Sequence, residues 1–339
     1  MSWSEILNHE HNLQRFQRSA SRDKLASTYL FVGPPGVGKR TFALKLAQAL
    51  LCETNDEKQL QPCGSCPACQ QVDASTHPDL IQIQRPKGKN VLPVDLFIGD
   101  REHRNRQGLC REISLKPFRG GRKIAIIDDA DFLNMESANC LLKTLEEPPP
   151  RSVLILVGTS EQQQLKTIVS RSQVIRFGPL SNEEVLTILN RTQLIDTEET
   201  NVSLSDLAEV SGGSVERAIQ LADPEILDFR QSLFDQLGTM DPARDDYAKN
   251  MLGFIDGAGK DASAKRNRTR MVADFAVEYF RRWLIDESDH ERNDIAVEAI
   301  ERSLDVQRQI SANANQANVV EAWLIDLGRI CRREFVSAH

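Results

Sequence analysis

Short stretches rich in apolar residues recur five times between residues 29 and 177. Tyr29-Leu-Phe-Val32, Leu80-Ile-Gln-Ile83, Lys123-Ile-Ala-Ile-Ile127, Val153-Leu-Ile-Leu-Val157 and the segment from Gln173 to Phe177 have the length of strands buried on both faces. Between them the period changes. Thr41 to Leu51 places Phe42, Leu46 and Leu50 at helical spacing, and residues near 93 to 115 also read as helical. A helix from Ser137 to Glu147 is stopped by Pro148-Pro-Pro150, whose rings carry no N–H. Arg85 to Asn90 is a polar loop. Strands alternating with helices predict an α/β fold with a mainly parallel sheet and helices on both faces. After Gly178-Pro179 the strand signals stop. The chain is expected to divide into an α/β domain (1–178), a small helical unit (179–225) and an all-α domain (226–339), with the break at Ala222-Asp-Pro-Glu225.

The first strand leads into Gly33-Pro-Pro-Gly-Val-Gly-Lys-Arg-Thr41, a phosphate-binding loop with one departure. In G-x-x-x-x-G-K-[ST], backbone N–H groups cradle the phosphates, the lysine reaches the β- and γ-phosphates, and the hydroxyl ligates Mg²⁺. Gly33, Gly36, Gly38 and Lys39 suit that role, but Arg40 stands where the hydroxyl belongs. A guanidinium offers no acceptor and cannot ligate a metal. Thr41 comes one residue late, about 100° further around a helix. The loop is expected to hold ATP or ADP better than Mg²⁺. A glycine-rich strand–helix turn is the bland reading of the same letters.

Asp128-Asp129 closes the third strand, as the acids of a Walker B motif do; there the first acid holds Mg²⁺ and a following Glu polarises water. Asp129 is one methylene shorter than Glu, and a displacement on the order of 1 Å can cost about a hundredfold in rate. Alone, the pair reads as an acidic turn. Cys52, Cys63, Cys66 and Cys69 follow the pattern C-x10-C-x2-C-x2-C, the short spacings of a closed tetrahedral zinc site. Free thiols and an iron–sulfur cluster are the alternatives. Arg171, in Ser170-Arg-Ser172, could serve as a finger on a neighbour's phosphate or stand as a surface arginine. Arg217 opens a helix after Gly212-Gly-Ser-Val-Glu216 and is read alone as solvated. Lys265-Arg-Asn-Arg-Thr-Arg270 reads as a solvated helical face, with an interaction surface as the alternative.

The 339 residues suffice for two or three domains with their own cores. A net charge of −7 argues against an autonomous nucleic-acid binder, which disfavours a zinc-bearing DNA-binding module. Seven cysteines, four of them clustered, suit a reducing compartment. The opening residues show no secretory signal and no apolar run approaches a membrane span, so a cytoplasmic location is expected.

Taken in order, these segments resemble the AAA+ clamp-loader subunits of bacterial DNA polymerase III, above all those of the delta-prime type. The resemblance runs from Trp3 to about Leu327. It is carried by the P-loop stretch, by the four cysteines with Thr76-His-Pro-Asp79, and by the run from Lys116 to Asp131. Ala138-Asn-Cys-Leu-Leu-Lys-Thr-Leu-Glu-Glu-Pro-Pro149, Thr167-Ile-Val-Ser-Arg-Ser-Gln-Val-Ile-Arg176 and Ala312-Asn-Ala-Asn-Gln-Ala-Asn318 add to it. The resemblance implies a AAA+ P-loop domain with a zinc insertion (52–69), a helical lid and a C-terminal collar through which subunits join. It implies a stator of the polymerase holoenzyme, with little or no ATPase activity of its own, in a five-membered ring with gamma/tau and delta-type subunits. That ring opens the sliding clamp and loads it on primer–template DNA. Arg171 falls on the family's finger arginine, Thr159 or Ser160 on its nucleotide-sensing position, and Arg217 on sensor 2. Three letters and one loop length depart from the pattern. Ser172 replaces a common Cys, Glu216 intervenes before Arg217, the first cysteine loop is longer, and Arg40 departs from the ATPase subunits while agreeing with many delta-prime chains. An active gamma/tau-type ATPase is the alternative.

Overall fold

The computed structural model describes residues 3–86, 88–119, 121–196, 202–239, 245–285, 290–312 and 314–337. Gly120 and Asn313, within two of the stretches that carry the resemblance, lie outside the described residues. The chain divides into two compact units, Met1–Ala222 and Asp223–His339.

In the first unit five strands, β1 (Thr28–Val32), β2 (Leu80–Ile83), β3 (Lys123–Ile127), β4 (Ser152–Val157) and β5 (Gln173–Arg176), form one sheet in the order β2-β3-β4-β1-β5. Every pairing is parallel. A strand's side chains alternate between faces, and here both faces are covered. Tyr29, Phe31, Ile124, Ile126, Val153, Ile155 and Val157 belong to one core, with Phe16, Phe42 and Leu46. Leu30, Val32, Ala125, Ile127, Leu154 and Leu156 belong to the other, with Leu92, Phe97, Leu109 and Leu141. β1, β3 and β4 are buried at every residue, which is why they read as near-continuous apolar runs. The edge strands β2 and β5 are partly exposed and carry polar residues such as Gln82, Gln173 and Arg176.

Helix α1 (Glu10–Ser21) was not among the expected elements, although Leu13, Phe16 and Ala20 carry the helical period. Helix α2 (Lys39–Leu51) follows the P-loop, and α3 (Pro67–Asp73) carries two of the cysteines. The single helix expected near 93 to 115 is instead two short ones, α4 (Asp95–Ile98) and α5 (Leu109–Ser114). Between them the Asp100 carboxylate takes the N–H groups of Glu102 and His103 at 3.1 and 2.8 Å, diverting the backbone from helix. Gly108, at φ 89°, lies so close to Phe97 and Gly99 that no Cβ would fit. Helix α6 (Met135–Glu146) starts two residues before the expected Ser137, because Asn134 caps it by accepting the Ser137 N–H at 2.8 Å. It ends ahead of Pro148. Helices α7 (Lys166–Val169), α8 (Asn182–Thr192), α9 (Leu204–Val210) and α10 (Val215–Leu221) complete the unit.

The second unit is helical throughout its described residues: α11 (Pro224–Gly238), α12 (Asp245–Asp256), α13 (Ala262–Arg281), α14 (His290–Ser311) and α15 (Gln316–Ser337), with a short 3-10 turn at Trp283–Ile285. Its core includes Phe275, Phe280, Trp323 and Leu327. The basic run 265–270 is not wholly a solvated face. Lys265 binds Asp256 at 2.6 Å, and Arg268 donates to the Phe254 carbonyl at 2.9 Å while lying over the Phe254 ring. These two residues tie α13 to α12. Among the described residues, no helix is long and apolar enough to cross a membrane.

Phe42 is fully buried against Trp3, Phe16, Phe31 and Phe177. Phe42→Ala is expected to destabilise the first unit by about 3–5 kcal/mol. Urea unfolding checks this, and a loss under about 1 kcal/mol would contradict the packing described.

Candidate functional site

Three loops leave the carboxyl ends of neighbouring strands, the edge where open parallel sheets place their ligand sites. They are the P-loop after β1, the acids after β3 and Thr159 after β4. The P-loop is tied to its surroundings through backbone groups. Gly33 N–H donates to the Thr159 carbonyl at 3.0 Å. The His9 ring sits 2.7 Å from the Val37 carbonyl, and Asn8 and Asn12 donate to the carbonyls of Pro179 and Arg176. Gly36 and Gly38 have φ of 70° and 94°, the left-handed region that glycine enters without strain.

Lys39 is buried, and its ammonium donates to the loop's own carbonyls, Gly33 O at 2.7 Å and Pro34 O at 2.6 Å. Burial lowers its pKa, against the pull of Asp131, Asp128 and Glu216. Arg40 turns toward the acids. Its Nε lies 3.2 Å from Asp128 Oδ2, and its NH2 reaches Gln82 Oε1 at 3.4 Å. Thr41 is exposed. Asp129 has φ 55° and faces Arg85. Thr159 donates its N–H to Asp131, which Gln164 also contacts.

The helical segment 179–222 closes over the loop. Val215 N–H donates to the Gly36 carbonyl at 3.1 Å, and a Cβ at Gly36 would collide with the Ser214 hydroxyl and Glu216. Ser214 caps α10 by accepting the Arg217 N–H at 3.1 Å, which sets Arg217, half-buried, in the first turn. Gly33, Gly36, Gly38, Lys39, Arg40, Asp128, Asp129 and Thr159 therefore gather at one edge, with Arg217 on the segment above. His9, Arg85 and Asp131 were not singled out in the sequence. Arg85 and Asp131 each lie in a stretch with an obvious loop or motif role, whereas His9 carried no signal.

Arg171 stands apart from these residues. It is exposed just beyond α7, where its guanidinium bonds the Thr167 carbonyl at 3.1 Å and Glu146 at 2.6 Å. An exposed ion pair is worth about 0–1 kcal/mol, so Arg171 can leave Glu146 for a stronger anion. Ser172 donates to the Ile168 carbonyl at 2.8 Å, which keeps this turn closed.

The four cysteines form a separate cluster. Cys52 ends α2, Cys63 lies in the connecting loop, Cys66 caps α3 and Cys69 lies within it. Their sulfurs lie within 4.8 Å of one another, with Cys63 and Cys69 at 3.9 Å. Four thiolates at about 2.3 Å from a tetrahedral Zn²⁺ stand roughly 3.8 Å apart, so the set can hold a metal ion such as zinc. Hydrogen bonding from Thr54, then from the Cys66 and Ser65 N–H groups, pulls the Cys63 thiol down to about 5, while burial pushes Cys69 up. The cluster is moored on both sides. Gln48 of α2 donates to Cys69 O at 3.0 Å and Asp73 at 2.8 Å. Arg119 binds Glu53, and Arg122 binds Glu57 at 2.7 Å. The buried Asp79 carboxylate accepts the N–H groups of Phe118 and Arg119 at 2.7 and 3.1 Å, positioning Arg119 for its contact with Glu53.

A doubly covered parallel sheet with a P-loop, paired acids and a helical segment over the loop defines a P-loop chain of the AAA+ class. A family model described as "DNA polymerase III, delta subunit" matches residues 8–181, just over half of the chain. The chain belongs to that family. Among curated proteins it is 32% identical over 186 residues to the DNA polymerase III subunit delta' of Bacillus subtilis, covering 55% of this chain and 52% of that one. It is 34% identical over 193 residues to the delta' subunit of Pseudomonas aeruginosa, covering 57% and 55%. To the tau subunit of Escherichia coli it is 30% identical over 276 residues, covering 78% of this chain and 40% of that one. The chain thus spans about half or less of these relatives' lengths.

Burial, reinforced by Asp129, raises the Asp128 carboxyl above its ordinary 3.8 and outweighs Arg40 and Lys39. The folded chain holds that proton more tightly than the unfolded one. The contribution of Asp128 to stability therefore falls as pH rises from 3.8 through the raised value, and levels off beyond it. Asp128→Asn removes this titration and is expected to flatten that fall. Urea unfolding at intervals from about pH 4 to 7 reads the slope, and parallel slopes for parent and variant would sink the assignment.

Proposed function

We propose that the chain is a delta-prime-type subunit of a DNA polymerase III clamp loader, acting as a stator rather than a motor. In this reading residues 1–178 are the AAA+ domain, 179–225 its lid and 226–339 the collar that joins it to gamma/tau and delta-type subunits in a five-membered ring. The ring opens the sliding clamp and places it on primer–template DNA. The chain presents Arg171 to the γ-phosphate of ATP held by its neighbour, where a guanidinium stabilises charge developing in the transition state. Its own loop, Gly33 to Thr41, holds ATP or ADP weakly or serves as a structural plug, with Thr159 and Arg217 at its rim.

One observation carries the reading: Arg40 occupies the metal-ligand position and is paired with Asp128, while Arg171, on the segment that resembles the family's finger, is exposed. Arg171→Ala in the reconstituted loader is expected to lower clamp- and DNA-stimulated ATP hydrolysis at the adjoining site by about a hundredfold or more. Unchanged stimulation would remove the finger role. The 30% identity to a tau subunit keeps the motor reading in view. Mg²⁺-dependent turnover by the isolated chain above about 1 s⁻¹ would favour it.

The cysteine cluster is proposed as a structural zinc site, because four sulfur ligands leave no open position for chemistry. Elemental analysis of the purified protein is expected to find one zinc per chain. Cys69→Ser should lose the metal and loosen the contacts of Arg119 and Arg122 with the insertion. A metal-free parent protein would overturn the assignment.

A further inference from the structure

Nucleotide sites of this fold hold Mg²⁺ between a P-loop hydroxyl and an acid at the end of the neighbouring strand. The residues of this chain do not fit that ion. The hydroxyl position is Arg40, whose guanidinium spans Asp128 and Gln82. The second acid is engaged as well. Arg85, in the loop after β2, places its Nε 3.7 Å from Asp129 Oδ2. Its guanidinium is held by the Lys89 carbonyl at 3.0 Å and lies 4.0 Å over the Phe132 ring. The Arg85 Nε is buried and has no hydrogen-bond partner among the described residues, so Asp129 is the anion it faces. The Phe132 N–H in turn donates to the Asp129 carbonyl at 2.9 Å, which fixes ring and acid together.

Two carboxylates and two guanidinium groups cancel, as two carboxylates and one divalent cation would. Unlike carboxylates, guanidinium groups have no lone pair to share with an incoming metal and repel it. Arg40 comes from the first turn of α2 and Arg85 from the loop after β2, so the two cations approach the acids from separate elements. We propose that Arg40 and Arg85 together take the place of the divalent cation, each neutralising one acid, so that this P-loop site takes no metal whether or not nucleotide enters. The inference rests on reading the chain as a subunit with a P-loop site that does not hydrolyse, but not on Arg171.

The test uses the full chain and Mn²⁺ alone, followed by electron paramagnetic resonance and calorimetry. The parent protein is expected to take no Mn²⁺ at this site up to about 1 mM, the weak end of protein cation sites. Arg40→Thr/Arg85→Gln restores the hydroxyl and frees both acids. It is expected to gain one Mn²⁺ site at least about tenfold tighter than any in the parent, and Asp128→Asn in that background should abolish it. Should the double variant fail to fold, Arg40→Thr alone is expected to gain a weaker site that is still lost with Asp128→Asn. Binding of Mn²⁺ to the parent that depends on Asp128 overturns the inference, as does a folded variant that gains no site. Since the isolated chain is used, neither result bears on the loss of stimulation expected for Arg171→Ala, and the two failures are separable.

Discussion

A parallel strand covered by helices on both faces has only its ends available for chemistry. Here that constraint brings the P-loop, the acids of β3 and the turn after β4 to one edge, because all five strands point the same way. It also accounts for the unbroken apolar runs and for the pair of cores on either side of the sheet. The Gly33 N–H to Thr159 O bond, the Thr159 N–H bond to the Asp131 carboxylate and the Arg40–Asp128 pair then join these loops directly to one another.

Within that frame the P-loop edge is satisfied internally. Lys39 bonds its own loop, Arg40 and Arg85 face the two acids, and Val215 bonds Gly36 from the segment above. Burial still raises the carboxyls of Asp128 and Asp131 above their ordinary value despite the cations beside them. Arg171 contrasts with this closure. It is exposed, and its ion pair with Glu146 is of the weak surface kind. An internally paired P-loop edge and an exposed Arg171 are the arrangement that the proposed stator role would require.

The cysteine insertion shows a different economy. Its four sulfurs lie on one helix end, one loop and one short helix, and polar contacts from α2 and the loop before β3 hold it against the sheet. Asp79 links these parts, since its buried carboxylate anchors the backbone from which Arg119 reaches Glu53. The stretches Thr76 to Asp79 and Lys116 to Asp131 are thus structural partners across the sheet edge.

Much of this was legible in the letters. Continuous apolar runs located β1, β3 and β4 and shorter mixed ones β2 and β5, the glycine and lysine spacing located the P-loop, and the cysteine spacing located the cluster, because each depends on residues close in sequence. Arg40 announced that the metal ligand was missing. What the letters did not carry were partnerships between distant segments. The break at residues 99–108 arises from an aspartate that competes for backbone N–H groups. The roles of His9, Arg85 and Asp131 depend on which loops the sheet order sets side by side. Local spacing determined the elements and the chemistry that each could bear. Only the tertiary structure decided that Arg40 and Arg85 face the two acids, because hydrogen bonds and ion pairs form between atoms brought together by folding.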